Sequence, residues 1–112
     1  MRLQRLLKHA DFERVYRQGQ RHFAAHLTVF YLRREAAGAR VGFTVSRALG
    51  GSVQRNRIRR RLREAVRRHG GVLAAPVDVV INPKKSVLKI EFSVLLGQVE
   101  RAFAIIAQRL SA

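Results

Sequence analysis

The chain has no cysteine, which excludes thiolate nucleophiles, disulfides and cysteine-ligated zinc and fits a reducing cytoplasm. It is also poor in acid, with 7 Asp and Glu against 23 Lys and Arg, a formal net charge of +16. Long apolar runs are missing: the longest stretch without Lys, Arg, Asp or Glu runs from His22 to Leu32, far short of the roughly 20 residues of a membrane-spanning helix. The N-terminal residues include Asp11 and Glu13 and lack the apolar centre of a signal peptide, so they read as part of the fold. No repeat, low-complexity tract or Pro/Gly/Ser linker divides the sequence, and residues 1–112 read as a single domain.

What is present is enough apolar material, 47% of residues, for one core without metal or disulfide support. The positive charge is self-repelling and has no use in folding, so a polyanionic partner is its natural explanation. Nineteen of the 23 cations are Arg, whose guanidinium can fork onto phosphate and stack on a base. That favours nucleic acid over a membrane surface. A GC-rich genome would raise the ratio of Arg to Lys but not the net charge.

Hydrophobic spacing gives a coarse order of elements. Phe12, Val15 and Tyr16 at i, i+3 and i+4 predict a short helix from about Asp11 to Gln18, ended by Gly19. Residues 27–33 are rich in strand formers, and Val41, Phe43 and Val45 alternate with Gly42, Thr44 and Ser46 as an antiparallel partner strand. After Gly50 and Gly51, Ile58, Leu62, Ala65 and Val66 mark one stripe of a central helix that Gly70-Gly71 should end. Pro76 opens a nearly continuous apolar strand, Val77 to Asn82, and Pro83 stops it. Ser93 is expected to cap a last helix carrying Leu95, Val99, Phe103, Ile106 and Leu110. The fold class is α+β, an α/β sandwich.

The central helix carries the chemistry. Nine arginines and one acid, Glu64, lie between Arg47 and Arg68. At 100° per residue Arg59, Arg60, Arg63 and Arg67 fall away from the apolar stripe, flanked by Arg57 and Arg68. Cations near a helix start oppose the macrodipole, and the i,i+4 pairs Arg59/Arg63 and Arg63/Arg67 repel, each at a few tenths of a kcal/mol. Only Glu64 and Arg68 make a favourable pair. A solvated helix face would mix signs, so phosphate binding is the better reading.

The run Arg55-Asn56-Arg57-Ile58-Arg59-Arg60-Arg61-Leu62-Arg63 resembles the Arg-Asn-Arg motif of the bacterial ribonuclease P protein component family. Gly42-Phe43-Thr44-Val45-Ser46-Arg47, Asp11-Phe12 with Val15-Tyr16, and Asp78-Val79-Val80-Ile81 resemble that family's other landmarks, in order, over roughly residues 3 to 107. The resemblance implies helix-strand-strand-strand-helix-strand-helix, a four-stranded sheet packed with three helices, and a left-handed strand-helix-strand crossover. It implies that Arg47, Arg55, Asn56, Arg57, Arg59, Arg60, Arg63 and Arg67 bind the catalytic ribonuclease P RNA. A groove at Phe12, Tyr16, Phe30, Thr44 and Ser46 would hold the single-stranded 5′ leader of precursor tRNA, where stacking tolerates any base. Phe12 and Tyr16 fit a core equally well at that spacing. Where many members carry two successive basic residues, this chain has Arg47-Ala48. The loop Lys84 to Lys89 adds three lysines with no assigned RNA.

No constellation in the sequence can hydrolyse a phosphodiester alone. His22 and His26 are too far apart in an extended segment for one ion, roughly 13 Å. Asp11 and Glu13 do not face each other on a helix, and Ser46 lacks the glycines of a nucleophile elbow. The resemblance agrees, implying an endoribonuclease of tRNA 5′ maturation in which the RNA subunit cleaves with Mg²⁺ and the protein contributes no catalytic residue and no tight metal site. Expected partners are the RNA subunit and precursor tRNA, with no membrane and no small-molecule substrate. The rival readings are a ribosomal or other structural RNA-binding protein, and a DNA-binding protein using the arginine helix.

Overall fold

The one continuous apolar strand of the sequence becomes the middle of the sheet. A computed structural model describes residues 3–69 and 73–111. Its elements are β1 (Gln4–Arg5), α1 (His9–Gln18), β2 (Gln20–Phe23), β3 (Leu27–Arg33), β4 (Ala39–Phe43), α2 (Ser52–His69), β5 (Val77–Pro83) and α3 (Phe92–Ser111). Short 3-10 turns at Arg47–Leu49 and Lys85–Leu88 lead out of β4 and β5. The sheet runs β1-β4-β5-β3-β2. Among the described residues no helix is long and apolar enough to cross a membrane.

Two sequence expectations are corrected here. The sheet has five strands rather than four, because β1 precedes the first helix; it holds only two residues, both exposed, and carries no apolar alternation to betray it. The strand at residues 41–46 is not hydrogen-bonded to β3. It ends as β4 at Phe43, and β5 lies between the two, antiparallel to β3 and parallel to β4. Burial decides this: Val77, Val79, Val80 and Ile81 are all essentially inaccessible, and only the centre of a sheet with both faces covered hides such a run. The parallel β4-α2-β5 connection is the crossover element of the expected fold.

One sheet face presents Leu27, Val29 and Tyr31, Ala39 and Val41, and Val77, Val79 and Ile81 to α2 and α3. From α2 come Ile58, Leu62, Ala65 and Val66, and from α3 Leu95, Val99, Ala102, Phe103 and Ile106. Both helical stripes read from the sequence are buried except at Leu110, which is only partly so. Ser93 does not cap α3: the helix begins at Phe92, and the Glu91 carbonyl accepts from the amides of Val94 and Leu95. The glycines expected to end α2, Gly70 and Gly71, lie outside the described residues, the last described helical residue being His69.

The opposite face holds a smaller cluster of Leu6, Val15 and Val80, with Phe12, Tyr16, Phe30 and Leu32 packed against it. Here α1 lies on the sheet, starting two residues earlier than expected, with Asp11 in its first turn. It ends at Gly19 for a reason of space: a Cβ there would sit 2.4 Å from the Val15 carbonyl oxygen and 2.7 Å from that of Tyr31. Only glycine lets the helix end meet β3 this closely.

Candidate nucleic-acid interface

Few acids are available, and most are engaged away from the outer face of α2. Asp78 on β5 is 1% exposed and accepts from Arg40 Nε at 2.7 Å and Nη2 at 2.6 Å, with Arg14 at 3.2 Å and Arg34 at 3.7 Å. Asp11 on α1 meets Arg14 at 3.2 Å and Arg40 at 3.4 Å. The cluster ties α1 to the sheet, and its hydrogen bond to Asp78 raises the pKa of Arg40. Glu13 pairs with His9 and Arg17.

On α2, Glu64 accepts from Arg67 at 3.0 and 2.7 Å and from Arg68 at 3.0 Å. Those bonds, Arg67's first, pull its pKa down to about 2. Arg67 is thus held by a carboxylate of its own helix, a pair the sequence reading did not anticipate. Arg61 donates to the carbonyls of Val87 and Ile90 and, like Arg68, lies over the Phe92 ring. Its role is to fasten α2 to the turn after β5.

The remaining arginines are different. Arg57, Arg60 and Arg63 recur at i, i+3 and i+6 on one exposed helix face, and among the described residues none has an ion-pair partner. The same holds for Arg47, exposed in the 3-10 turn before the helix, and for half-buried Arg55, whose Nε is buried without an acceptor. Arg59 donates to Asn56 Oδ1 at 3.1 Å, so the asparagine orients a neighbour rather than facing solvent alone. A cleft of about 520 Å³ separates Arg59, Arg63 and Arg67 from the Leu3–Leu7 segment, with Phe12, Val41, Gly42, Phe43 and Val66 completing its walls. It joins the arginine face to the α1 side of the sheet, a continuity invisible in the sequence.

On that side, the expected groove residues are brought together except for Ser46, which is exposed beyond the end of β4. The Phe12 ring occupies the space over Gly42, where a Cβ would lie 2.5 Å from Cζ. Tyr16 meets Phe30 edge to face at 4.8 Å, and its hydroxyl bonds Thr44 Oγ1 at 2.5 Å and Asn82 Oδ1 at 2.8 Å. All three aromatic rings are half-buried, so they pack the small cluster and also line its surface. Arg21 places its guanidinium 5.1 Å from the Phe30 centroid. Arg21 is not legible as a groove residue because β2 has only four mostly exposed residues, its one signal being the i,i+2 spacing of Arg21 and Phe23; Asn82, at the end of β5, joins the groove only through its long-range contact with Tyr16.

The Ribonuclease P family model matches residues 1–107. The ribonuclease P protein component of Oleidesulfovibrio alaskensis is 40% identical over 83 residues, 72% of this chain and 66% of that protein. That of Carboxydothermus hydrogenoformans is 36% identical over 95 residues, 83% of this chain and 82% of that protein. The match to the first thus spans just under two thirds of its length. The Staphylococcus aureus RNase P protein superposes with a TM-score of 0.79 at 27% identity, covering 91% of this chain and 94% of that one. The family model spans nearly the whole sequence, the relatives and the superposed fold agree with it, and the chain belongs to the ribonuclease P protein family.

Proposed function

We propose that this chain is the protein subunit of a ribonuclease P ribonucleoprotein of the cytoplasm. It binds the catalytic RNA through Arg47, Arg55, Asn56, Arg57, Arg59, Arg60, Arg63 and Arg67, and the 5′ leader of precursor tRNA through Phe12, Tyr16, Phe30, Thr44 and Ser46. In this way it assists endonucleolytic removal of the leader. The observation that carries the reading is the partnerless row Arg57, Arg60 and Arg63 in a protein whose acids are largely engaged elsewhere. Such a row has no stabilising role in the free protein, and phosphates neutralise it with release of counterions.

Cleavage belongs, on this reading, to the RNA subunit with its Mg²⁺. Among the described residues no three of His, Cys, Asp or Glu come together as ligands, and the two carboxylates that share partners, Asp11 and Asp78, are both bound by Arg14 and Arg40. Among the described residues, then, the side chains do not fit a Mg²⁺ site of three such ligands. Its own work is to bind and orient: guanidiniums fix RNA backbone, and half-buried rings offer faces to unpaired bases.

The deciding experiment is reconstitution with a bacterial ribonuclease P RNA and precursor tRNA at low Mg²⁺. The protein should raise leader removal over RNA alone. No increase, with binding to the RNA retained, would make it a structural RNA-binding protein instead.

A further inference from the structure

Register decides which residues share the groove side of the sheet. Phe23 pairs with Thr28 and Arg21 with Phe30; Thr28 in turn pairs with Asn82, and Phe30 with Val80. Residues directly opposed on neighbouring strands point the same way. Phe23, Thr28 and Asn82 therefore form one row, and Arg21, Phe30 and Val80 a second, both on the α1 side. The alternate residues of β2 face the other way: Gln20 accepts from the Tyr31 hydroxyl at 2.9 Å, and burial, followed by the Arg109 and Arg101 charges, depresses the pKa of His22.

Over the second row α1 closes, with Val15 buried and Tyr16 against Phe30. It touches the first row through the Tyr16 hydroxyl on Asn82. That row is thus a partly exposed polar strip, Thr28 and Asn82, running from Tyr16 out to the sheet edge. At its outer end stands Phe23, 70% exposed, two residues from Arg21 on the same side.

We propose that Phe23 is a second base-stacking platform, at the outer edge of the groove, for the single-stranded part of the RNA substrate. The inference rests on the leader-groove reading and extends it by one station. An aromatic face open to water, a strip of hydroxyl and amide groups the width of one backbone, and a guanidinium beside both make the combination that holds unpaired RNA in other folds. A protein partner would call for an apolar floor, which the Thr28 and Asn82 row does not provide. Arg21 is positioned to meet the phosphate of the nucleotide whose base lies on Phe23.

The test uses holoenzyme reconstituted with a bacterial ribonuclease P RNA, and precursor tRNAs with leaders shortened one nucleotide at a time beside mature tRNA. Phe23→Ala is expected to weaken binding of the longer leaders about fivefold, and to leave the shortest leaders and mature tRNA unchanged. Phe23→Trp should retain affinity and Phe23→Leu should lose it, because a ring face rather than apolar bulk is required. Since the side chain is exposed, melting of all three variants should match the parent. Equal losses for every substrate including mature tRNA, or full affinity with Leu, would overturn the role of Phe23. A parent holoenzyme that does not prefer leader-bearing substrate would instead remove the groove itself, which separates the two failures.

Discussion

At the scale of single residues, the useful distinction is between arginines that have a partner in the folded chain and those that do not. Arg57→Ala should flatten the salt dependence of RNA binding by about one phosphate, a change of roughly 0.7–0.9 in the log-log slope. Titrations across salt concentrations check this, and an unchanged slope removes Arg57 from the interface. Glu64→Gln works the other way, because it releases Arg67 and Arg68. RNA affinity should rise and the slope steepen by up to two phosphates. Glu64 titrates at about 2, so its hold on the pair, present above the ordinary 4.5, is lost only as pH falls toward that value and does not vary near neutrality. His22 is more accessible to experiment. Burial first, then Arg109 and Arg101, push its pKa below 6.5. The unfolded chain then takes up a proton just below pH 6.5 that the folded chain refuses, so stability falls as pH drops through that window. Melts between pH 7 and 5.5 should show the decline, and His22→Gln should reduce it.

At the scale of elements, the placing of α1 depends on both of its ends and one ion cluster. Asp78→Asn would leave Arg40 and Arg14 beside a buried amide, and should cost about 3 kcal/mol in denaturant unfolding. Phe103→Ala, which opens a cavity under α3, should cost about 3–5 kcal/mol by the same measurement. The helices were legible because their apolar stripes repeat over several turns: Ile58 to Val66 and Leu95 to Ile106 are buried as their spacing indicates. Strand pairing was less so. Alternation at Val41, Phe43 and Val45 tells which side of a strand is apolar but not which neighbour it has, and the parallel insertion of β5 between β3 and β4 is a long-range arrangement no local signal carries. Edge strand β1 stayed hidden, and β2, counted by the family resemblance, has no position in the sequence pattern, for a related reason: being mostly exposed, they have no burial pattern to display. Arg57, Arg60, Arg63 and Arg67 are exposed as the helical projection indicates, while Arg59 is half-buried; the bidentate contact of Arg67 with Glu64 required a rotamer no sequence specifies. Phe12 and Tyr16 are core residues in part: each ring packs against the Leu6, Val15 and Val80 cluster and stays partly exposed, which leaves a surface for the proposed groove.

At the scale of the whole molecule, a net charge of +16 is distributed unevenly. The carboxylates Asp11 and Asp78 gather on the α1 face, with Arg14, Arg34 and Arg40 around them, while on α2 Glu64 offsets only Arg67 and Arg68 and leaves Arg57, Arg60 and Arg63 without an acid among the described residues. Association with RNA should therefore be fast at low ionic strength and slow steeply as salt rises, which stopped-flow mixing at two salt concentrations would register. The order in which the strands are joined has a further consequence. Since β5 lies between β3 and β4 but follows them by more than thirty residues in the chain, a nascent polypeptide that has not yet emerged past Pro83 carries two sheet edges with nothing between them. Such an intermediate is open to wrong pairing with other chains, and the guanidinium helix, synthesised before the strand that anchors it, waits for that last insertion before it has a platform to stand on.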